Sequence, residues 1–283
     1  MKLFKMHGCG NDFLFVDGMS ESVPEFSPKQ VAVWCDRHFG IGADGVAILK
    51  RGTRSDASWD FYNSDGSRAE MCGNAARCAI RFLADKYFPT HQKITLETMA
   101  GIIEGQALDA NEVEIAMTIT AQSLYQERII HAEEMTFEVF FLNTGVPHAV
   151  IEVKDLSTYP ISRVGRLIQA HAAFQPEGTN VTYFQKVGER SILSTTFERG
   201  VELETFACGT GAAAAAIVYS ERYLEKFPIA VHVPGGVLLV SVHPDSKRVL
   251  LRGPAQYVFE VETQTFGDMG EAPKLYGQRK GKK

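Results

Sequence analysis

The chain has 283 residues, of which 45% are hydrophobic, and its formal net charge is -5. This length exceeds the usual size of a single core, so we expect two domains, each burying a core of its own. No stretch approaches the roughly 20 apolar residues that span a membrane, and the negative net charge argues against nucleic acid as a partner.

The cysteine content and the first residues favour a cytoplasmic protein. The five cysteines are an odd number, and none forms the close pair typical of metal sites, which favours a reducing compartment over a disulfide framework. The opening residues MKLFKM lead directly to Gly8 without the apolar core of a signal peptide. We interpret the basic end Arg279–Lys283 as a solvated terminus, and we expect no bound metal.

In chain order, the pattern predicts short strands with four helices between them. Strands rich in β-branched and aromatic residues are predicted at 13–17, 46–50, 59–62 and 94–98. Ser27 followed by Pro28 is typical of a helix start and predicts a helix near 28–38, which stops before Gly40. The second half repeats this helix between about 160 and 173.

In each half, a strand and a turn then lead to a helix that begins at a cysteine. These helices are predicted from Cys72 to about Tyr87 and from Cys208 to about Tyr223. The second contains five consecutive alanines, 212–216, which are strong helix formers with little side-chain volume. A surface helix would carry interspersed Lys and Glu. We therefore expect this helix to be buried, with a strongly curved sheet wrapped around it.

The two cysteine segments belong to an internal duplication. Cys72-Gly-Asn and Cys208-Gly-Thr are each followed by a run rich in alanine, 136 residues apart. Further landmarks lie in the same order at nearly the same offset: Gly8 with Gly145, Gly42 with Gly178, Phe61 with Phe197, Gly101 with Gly236, and Ala121–Gln122 with Ala255–Gln256. A period this long indicates duplicated domains rather than a solenoid.

A cysteine at a helix N-terminus is a candidate for acid–base chemistry. The unpaired N–H groups and the positive end of the helix dipole stabilise a thiolate, so we expect a lowered pKa for both thiols. Gly73 and Gly209 allow a close approach of their amides to an anion, and Asn74 and Thr210 add polar groups. Two such helix ends facing each other would bind one carboxylate and place a thiol on each face of the adjacent carbon. This arrangement suits the transfer of a proton from one face to the other.

Other interpretations of the cysteines stay open. Cys9, Cys35 and Cys78 are most simply small buried hydrophobes. Cys72 and Cys78 are too far apart in sequence for a zinc-type pair. A redox dithiol across the two halves, or ligand binding without any proton exchange, is the alternative from a different class of protein.

An ordered set of motifs resembles the diaminopimelate epimerase family over nearly the whole chain. The motifs are Lys5–Phe13, Arg37–Gly45, Asn63–Ser67, Met71–Asn74, Asn143–His148, Gly178–Val181, Glu198–Gly200 and Ala207–Gly211. The resemblance implies conversion of LL-2,6-diaminopimelate to the meso form without pyridoxal phosphate or another cofactor, for lysine and peptidoglycan precursor synthesis. It also implies a homodimer.

The resemblance implies roles for individual residues. Cys72 and Cys208 would exchange the α-proton, with support from His148 and Glu198. The residues implied to bind the diamino-dicarboxylate substrate are Asn11, Asn63, Gly73, Asn74, Asn180, Glu198, Arg199, Gly209 and Thr210. The chemistry fits, because the fork of Arg199 suits a second carboxylate and Glu198 could take a second ammonium.

The implied fold is of the α+β (mixed α/β) class. It comprises two pseudo-symmetric duplicated domains, each a barrel-like curved β-sheet around a central helix, with the active site in the interdomain cleft. We expect an N-terminal domain at 1–118, closed by a C-terminal segment at about 254–275, and a C-terminal domain at 119–253.

Three positions depart from the pattern of many family members. Gly45 replaces a pocket glutamine, Val146 replaces an asparagine, and the stretch 198–205 is one residue longer. We expect the reaction type to persist and hypothesise a less exacting pocket. The enzyme alternative is a proline-type or hydroxyproline-type racemase, which would keep both cysteines but need a smaller, apolar pocket. The related phenazine isomerases do not use the cysteine pair.

Overall fold

The structure is a computed structural model and describes residues 1–120, 125–200 and 204–262. The helices of these residues are α1 (Pro28–Cys35), α2 (Gly73–Lys86), α3 (Ile161–Ala170) and α4 (Gly209–Tyr223). The strands of the first half are β1 (Lys2–Gly8), β2 (Asn11–Gly18), β3 (Gly45–Arg51), β4 (Ala57–Asn63), β5 (Ile94–Thr98), β6 (Gly101–Ala107) and β7 (Glu112–Thr120). Those that follow are β8 (Gln126–Ala132), β9 (Met135–Asn143), β10 (Pro147–Glu152), β11 (Asn180–Gly188), β12 (Ser191–Phe197), β13 (Ile229–Val233), β14 (Gly236–Val242), β15 (Arg248–Pro254) and β16 (Gln256–Glu262). The four strands predicted from the sequence lie within β2, β3, β4 and β5.

The described strands form one sheet whose two halves have the same topology. The strand order is β16-β1-β2-β3-β4-β5-β6-β7-β15-β14-β13-β12-β11-β10-β9-β8. In the first half β2 is parallel to β3 and β4 to β5, and in the second half β10 is parallel to β11 and β12 to β13. The halves join where β7 and β15 pair antiparallel. This repeated order confirms the predicted duplication.

The last strand of the described chain returns to the first half. β16 pairs antiparallel with β1, just as β8, which follows the first repeat, pairs with β9 of the second. Within the described residues, each half therefore has eight strands, one of them supplied by the neighbouring repeat.

Each half surrounds one central helix. Every residue of α2 from Gly73 to Leu83 is buried, as is nearly all of α4 from Gly209 to Tyr219. A helix that is buried on all sides lies inside a core rather than on a surface. α2 contacts β1, β2, β5, β6 and β7, and α4 contacts β9 to β15, so the sheet curves around both helices. The predicted burial of the five alanines is confirmed, since each is at most 1% exposed.

The other two helices are shorter than the sequence predicts. α1 begins with a capping box between Ser27 and Gln30, and it ends at Cys35 because the carboxylate of Asp36 accepts hydrogen bonds from the amides of His38 and Phe39. This local turn replaces further helical bonds. α3 ends at Ala170, and a 3₁₀ turn at Ala172–Phe174 follows.

No helix in the described residues is long and apolar enough to cross a membrane. Several predictions concern positions outside the described residues. They are the landmark Ala121–Gln122, residues 201–203 of the longer stretch 198–205, the part of the closing segment after residue 262, and the basic end Arg279–Lys283.

Candidate active site

The two central helices begin next to each other, and each begins at a cysteine. Cys72 is the N-cap of α2 and Cys208 is the N-cap of α4. A Cβ atom added to Gly209 would lie 3.9 Å from the Cα of Gly73, and the side chain of Leu251 packs under both glycines. The first amides of a helix have no acceptor within the helix. The junction of the halves therefore holds two thiols and two sets of helix N-terminal N–H groups.

Two asparagines link Cys72 to the second half. The thiol of Cys72 lies 3.7 Å from Asn11 Oδ1. The side-chain nitrogen of Asn74 donates to the same oxygen at 2.9 Å and to the carbonyl of Ala207 at 2.9 Å. Asn74 thus holds the N-terminal end of α2 against Ala207, the residue before Cys208.

A charged network that the sequence analysis did not identify holds Asn11. Its Nδ2 donates to Asp44 Oδ2 at 2.6 Å. Arg37 donates to the carboxylates of Asp44 and Asp12 at 2.7 and 2.6 Å, and Lys5 lies 2.6 Å from Asp12. Burial opposes ionisation of Asp12, but the hydrogen bonds from Arg37 and Lys5 outweigh it and lower its pKa. The resulting orientation directs Asn11 Oδ1 at Cys72.

Cys208 stands at the end of a chain of hydrogen bonds that leads into the core. Its sulfur accepts from the Gly211 amide at 3.4 Å and lies 3.3 Å from Thr210 Oγ1. Thr210 Oγ1 is 3.0 Å from His148 Nε2, and His148 Nδ1 is 2.9 Å from Thr182 Oγ1. Thr182 Oγ1 continues the chain to Thr196 Oγ1 at 3.0 Å.

His148 is neutral in this environment. The side chain is fully buried, and burial, together with the positive charge of Arg199, lowers its pKa to about 3. A neutral imidazole has one donor and one acceptor nitrogen. His148 can therefore relay hydrogen bonding between Thr210 and Thr182, but it cannot supply a positive charge to the cysteine.

Glu198 acts electrostatically on both thiols. Burial is the main cause of the raised pKa of Cys208 and of Cys72, and the negative charge of Glu198 adds to it. Thr205 Oγ1 donates to Glu198 Oε1 at 2.6 Å. Burial raises the pKa of Glu198 despite this hydrogen bond. From the sequence, Glu198 is predicted both to support catalysis and to take a second ammonium, and both roles stay predictions.

Arg199 and Asn180 form the neighbouring part of the site. The amide of Arg199 donates to Asn180 Oδ1 at 2.9 Å, and its guanidinium, on an exposed side chain, donates to the carbonyl of Glu177. Asn180 pairs with His148 in the register of β10 and β11. Gly178, at φ +69°, leaves room for the side chain of Arg199. A Cβ atom on Gly178 would lie only 2.9 Å from Arg199 Cδ.

The hydrogen bonds of Asn63 reach none of the other predicted site residues. It ends β4 opposite Gly45, is exposed, and donates from Nδ2 to Ser67 Oγ at 3.0 Å. Since Gly45 directly follows Asp44, Asn63 lies at the same edge of the sheet as the network that holds Asn11.

The expected lowering of the thiol pKa values is wrong for this structure. Burial raises the pKa of Cys72 and of Cys208, although the amides of Ala75, Asn74 and Gly211 act in the expected direction. The N–H groups at the helix ends therefore cancel only part of the rise in pKa that burial causes at each thiol. Sequence motifs locate a helix end, but they do not reveal how far its sulfur is removed from water.

Several contributing residues carried little or no sequence signal. Lys5, Arg37 and Asp44 lie within motifs identified in the sequence, but the spacing did not assign them a role. Thr182 and Thr205 come from strand β11 and the loop before α4 and had no signal. Within the described residues, no three His, Cys, Asp or Glu side chains are arranged to hold a metal ion.

Comparison with known proteins identifies a match over most of the chain. The model of the family described as diaminopimelate epimerase matches residues 3–123 and 140–258. A diaminopimelate epimerase of Aquifex aeolicus is 39% identical over 271 residues, covering 92% of this chain and 96% of that protein. One from a Hydrogenobaculum species is 38% identical over 276 residues, covering 92% of this chain and 97% of its relative.

More distant solved structures share the fold. A probable proline racemase of Agrobacterium radiobacter has a TM-score of 0.68 at 15% identity, covering 93% of this chain and 92% of the racemase. A putative phenazine biosynthesis protein of Clostridium difficile has a TM-score of 0.70 at 14% identity, covering 94% of this chain and 100% of that protein. At these identities the likeness concerns the fold alone.

Proposed function

The chain belongs to the diaminopimelate epimerase family, and we propose that it converts LL-2,6-diaminopimelate to the meso isomer by exchanging the α-proton between Cys72 and Cys208. The reaction is an isomerisation in lysine and peptidoglycan precursor synthesis and needs no pyridoxal phosphate. The observation that carries the mechanism is that the N-caps of two helices whose first glycines meet are both cysteines.

The exchange involves two proton transfers at one carbon. The thiolate of one cysteine takes the α-proton, so that an S–H bond forms and the C–H electron pair stays on the substrate. The thiol of the other cysteine then gives its proton to the opposite face and becomes the thiolate. Positioned acids and bases contribute about 10²–10⁴-fold each, and the two thiols exchange roles when the reaction runs in reverse.

The helix ends would stabilise the charge that develops between the two transfers. The amides of Gly73, Asn74, Gly209 and Thr210 lie in the first turns of α2 and α4. They suit the carboxylate attached to the reacting carbon, onto which the negative charge spreads. Glu198, whose charge acts on both thiols, would bind the ammonium of that carbon.

The distal amino-acid group of the substrate would bind in the exposed part of the site. Arg199 offers a fork for the second carboxylate, and Asn180 and Asn63 offer donors and acceptors. The charge of Arg199 and these polar side chains support a substrate with an amino-acid group at each end and disfavour a proline-type substrate.

Incubation of the reduced protein with LL-diaminopimelate in D₂O tests the proposal. Meso product with deuterium at the α-carbon is expected, whereas proline and hydroxyproline should not take up deuterium.

A panel of other L-amino acids tests the less exacting pocket predicted from Gly45 and Val146, and uptake on diaminopimelate alone would refute that hypothesis. Ligand binding without any deuterium uptake would instead support a binding or redox protein.

A cytoplasmic homodimer completes the proposal. All five cysteines are free thiols, as in a reducing compartment. β16 is one edge of the sheet and exposes Tyr257, Val258, Phe259 and Val261, and an exposed apolar edge strand is suited to pairing with a second copy.

Sedimentation at micromolar concentration tests the dimer. Val258→Lys on β16 should shift the protein to monomer. Ile129→Lys is the matched control, because Ile129 is 59% exposed on β8 at the opposite edge of the sheet. A monomeric wild type, or a dimer unaffected by Val258→Lys and broken by Ile129→Lys, would contradict the assignment.

A further inference from the structure

A buried guanidinium lies next to the first turn of α2, the helix that begins at Cys72. Arg77, on α2, is 0% exposed and is among the largest fully buried side chains of the described chain. It occupies a slot between two glycine backbones. A Cβ on Gly8 would lie 3.0 Å from Arg77 Nη2, and a Cβ on Gly253 would lie 3.4 Å from Nε. A side chain at Gly8 would therefore crowd the guanidinium, whereas one at Gly253 would make only ordinary contact with it.

The guanidinium has neutral partners. Nη2 donates to Asn74 Oδ1 at 2.8 Å, Nε approaches the carbonyl of Pro254 at 3.4 Å, and Nη1 approaches that of Gly73 at 3.4 Å. The ionisable groups that act on it most strongly are the thiols of Cys9, Cys78 and Cys72, none of which is a carboxylate. Arginine stays protonated in proteins, and burial of a charge without an opposite charge is costly.

The same contacts connect Arg77 to Cys72. Arg77 holds Asn74 Oδ1, Asn74 Nδ2 donates to Asn11 Oδ1, and that oxygen lies 3.7 Å from Cys72 Sγ. In the second repeat, Ala213 takes the position of Arg77 at the offset of the cysteines, and it is 0% exposed. A buried cation therefore lies next to the first turn of α2, whereas an alanine takes the equivalent position in α4.

We propose that Arg77 is a positioning residue that makes Cys72 the thiolate and Cys208 the thiol of the resting enzyme. This inference rests on the proposed two-thiol function and adds to it the assignment of the charge. The isomer whose α-hydrogen faces Cys72 then reacts directly with the resting enzyme, and the other isomer requires the proton to move first.

The other charged groups around the pair favour the same assignment. The charged groups that act on Cys72 are Glu198, which follows β12, and Arg77 of α2. Cys72 in turn acts on Cys208 of α4 and on Cys78 of α2. Glu198 is the charged group with the largest effect on Cys208, where it disfavours the thiolate. On Cys72, Glu198 is opposed by Arg77 and by two helix amides.

Alkylation by iodoacetamide, a neutral reagent, tests the assignment without any substrate. The reduced protein is labelled between pH 6 and 10.5, and the rate at each cysteine is followed by peptide mass spectrometry. In the wild type, the midpoint of the rate increase with pH should be at least one pH unit lower for Cys72 than for Cys208, which is a tenfold difference in thiolate fraction. Arg77→Met should move the Cys72 midpoint about one pH unit higher and leave the Cys208 midpoint unchanged.

Arg77→Lys is the matched control, because it keeps the positive charge. It should keep the midpoint of Cys72 alkylation close to the wild-type pH. Circular dichroism identifies any variant that does not fold. With diaminopimelate as substrate, Arg77→Met should lower kcat about tenfold and change KM less than twofold, since Arg77 does not reach the substrate site.

Two results would overturn the assignment. One is a wild-type Cys208 midpoint at or below that of Cys72, which requires no variant to fold. The other is a folded Arg77→Met protein with an unchanged Cys72 midpoint. Because labelling needs no substrate, its outcome stands even if diaminopimelate is not epimerised, so failure of this inference and failure of the proposed function are distinguishable.

Discussion

At the scale of single residues, the site combines two thiols with different surroundings. Cys72 lies beside Asn11, which is held by Asn74, and Asn74 in turn is held by the buried Arg77. Cys208 lies beside a threonine–histidine chain, and the charge of Glu198 acts on it. The duplication made the positions of the cysteines equivalent, but the neighbouring side chains have diverged. A symmetric backbone therefore supports an asymmetric pair of acid and base.

The burial of His148 predicts a specific dependence of stability on pH. Its pKa is about 3 in the folded protein and about 6.5 in an unfolded chain. Between these values the unfolded chain binds more protons, so stability falls as the pH decreases from 6.5 towards 3. From pH 6.5 to 4.5 this one group should cost about 2 kcal/mol.

Urea unfolding of the wild type and of His148→Gln at the two pH values checks this. Between the two pH values, the free energy of unfolding should fall by about 2 kcal/mol less in the variant than in the wild type, because glutamine does not titrate. An identical slope in both proteins would mean that His148 is not buried in its neutral form.

The sequence predicted the residues of the site better than it predicted their electrostatics. The motifs identified Cys72, Cys208 and their glycines because helix N-termini have a local signature. The rise of the thiol pKa values was missed because burial depends on the approach of the other half of the chain. Arg77 stood next to Cys78 in a recognised segment, but its slot is formed by Gly8 and Gly253, which are distant in sequence.

At the scale of elements, the central helices determine where the site forms. α4 can lie inside a curved sheet because its alanines take little volume, which brings Cys208 to the junction of the halves. The alanine run and the helix starts could be predicted from local sequence. The ends of α1 and α3 could not, since side-chain turns at Asp36 and His171 decide them. The joining of β7 to β15 and the return of β16 to β1 depend on pairing between distant strands.

The packing of α4 predicts a clear difference between two leucine substitutions. Ala214 is 0% exposed, so Ala214→Leu should destabilise the fold by about 1–3 kcal/mol through overpacking. Glu221 is exposed on the same helix, and Glu221→Leu should change stability by less than about 0.5 kcal/mol. Denaturant melts of both variants measure the difference. Equal stabilities would contradict a helix enclosed by the sheet.

At the scale of the whole molecule, the site exists only where the two repeats meet. Cys72 belongs to the first repeat and Cys208 to the second, while β7 and β15 hold the halves together. Any relative movement of the halves therefore changes the relation of the two thiols.

This arrangement predicts sensitivity to oxidation. Treatment with a thiol oxidant should link Cys72 to Cys208 and abolish activity, and a reductant should restore it. Peptide mapping identifies the linked pair, and Cys72→Ala, which cannot form it, is the control for mapping. Full activity of the wild type after prolonged oxidation would count against facing thiols.

The most direct test of the two-thiol exchange is the early fate of deuterium in D₂O, starting from LL-diaminopimelate. If each cysteine serves one face, the first meso product carries one α-deuterium while the remaining LL substrate carries none. Cys72→Ala and Cys208→Ala should each lower interconversion by about 100-fold or more. Deuterium entering both isomers at equal rates from the start, or full interconversion in either variant, would contradict the mechanism.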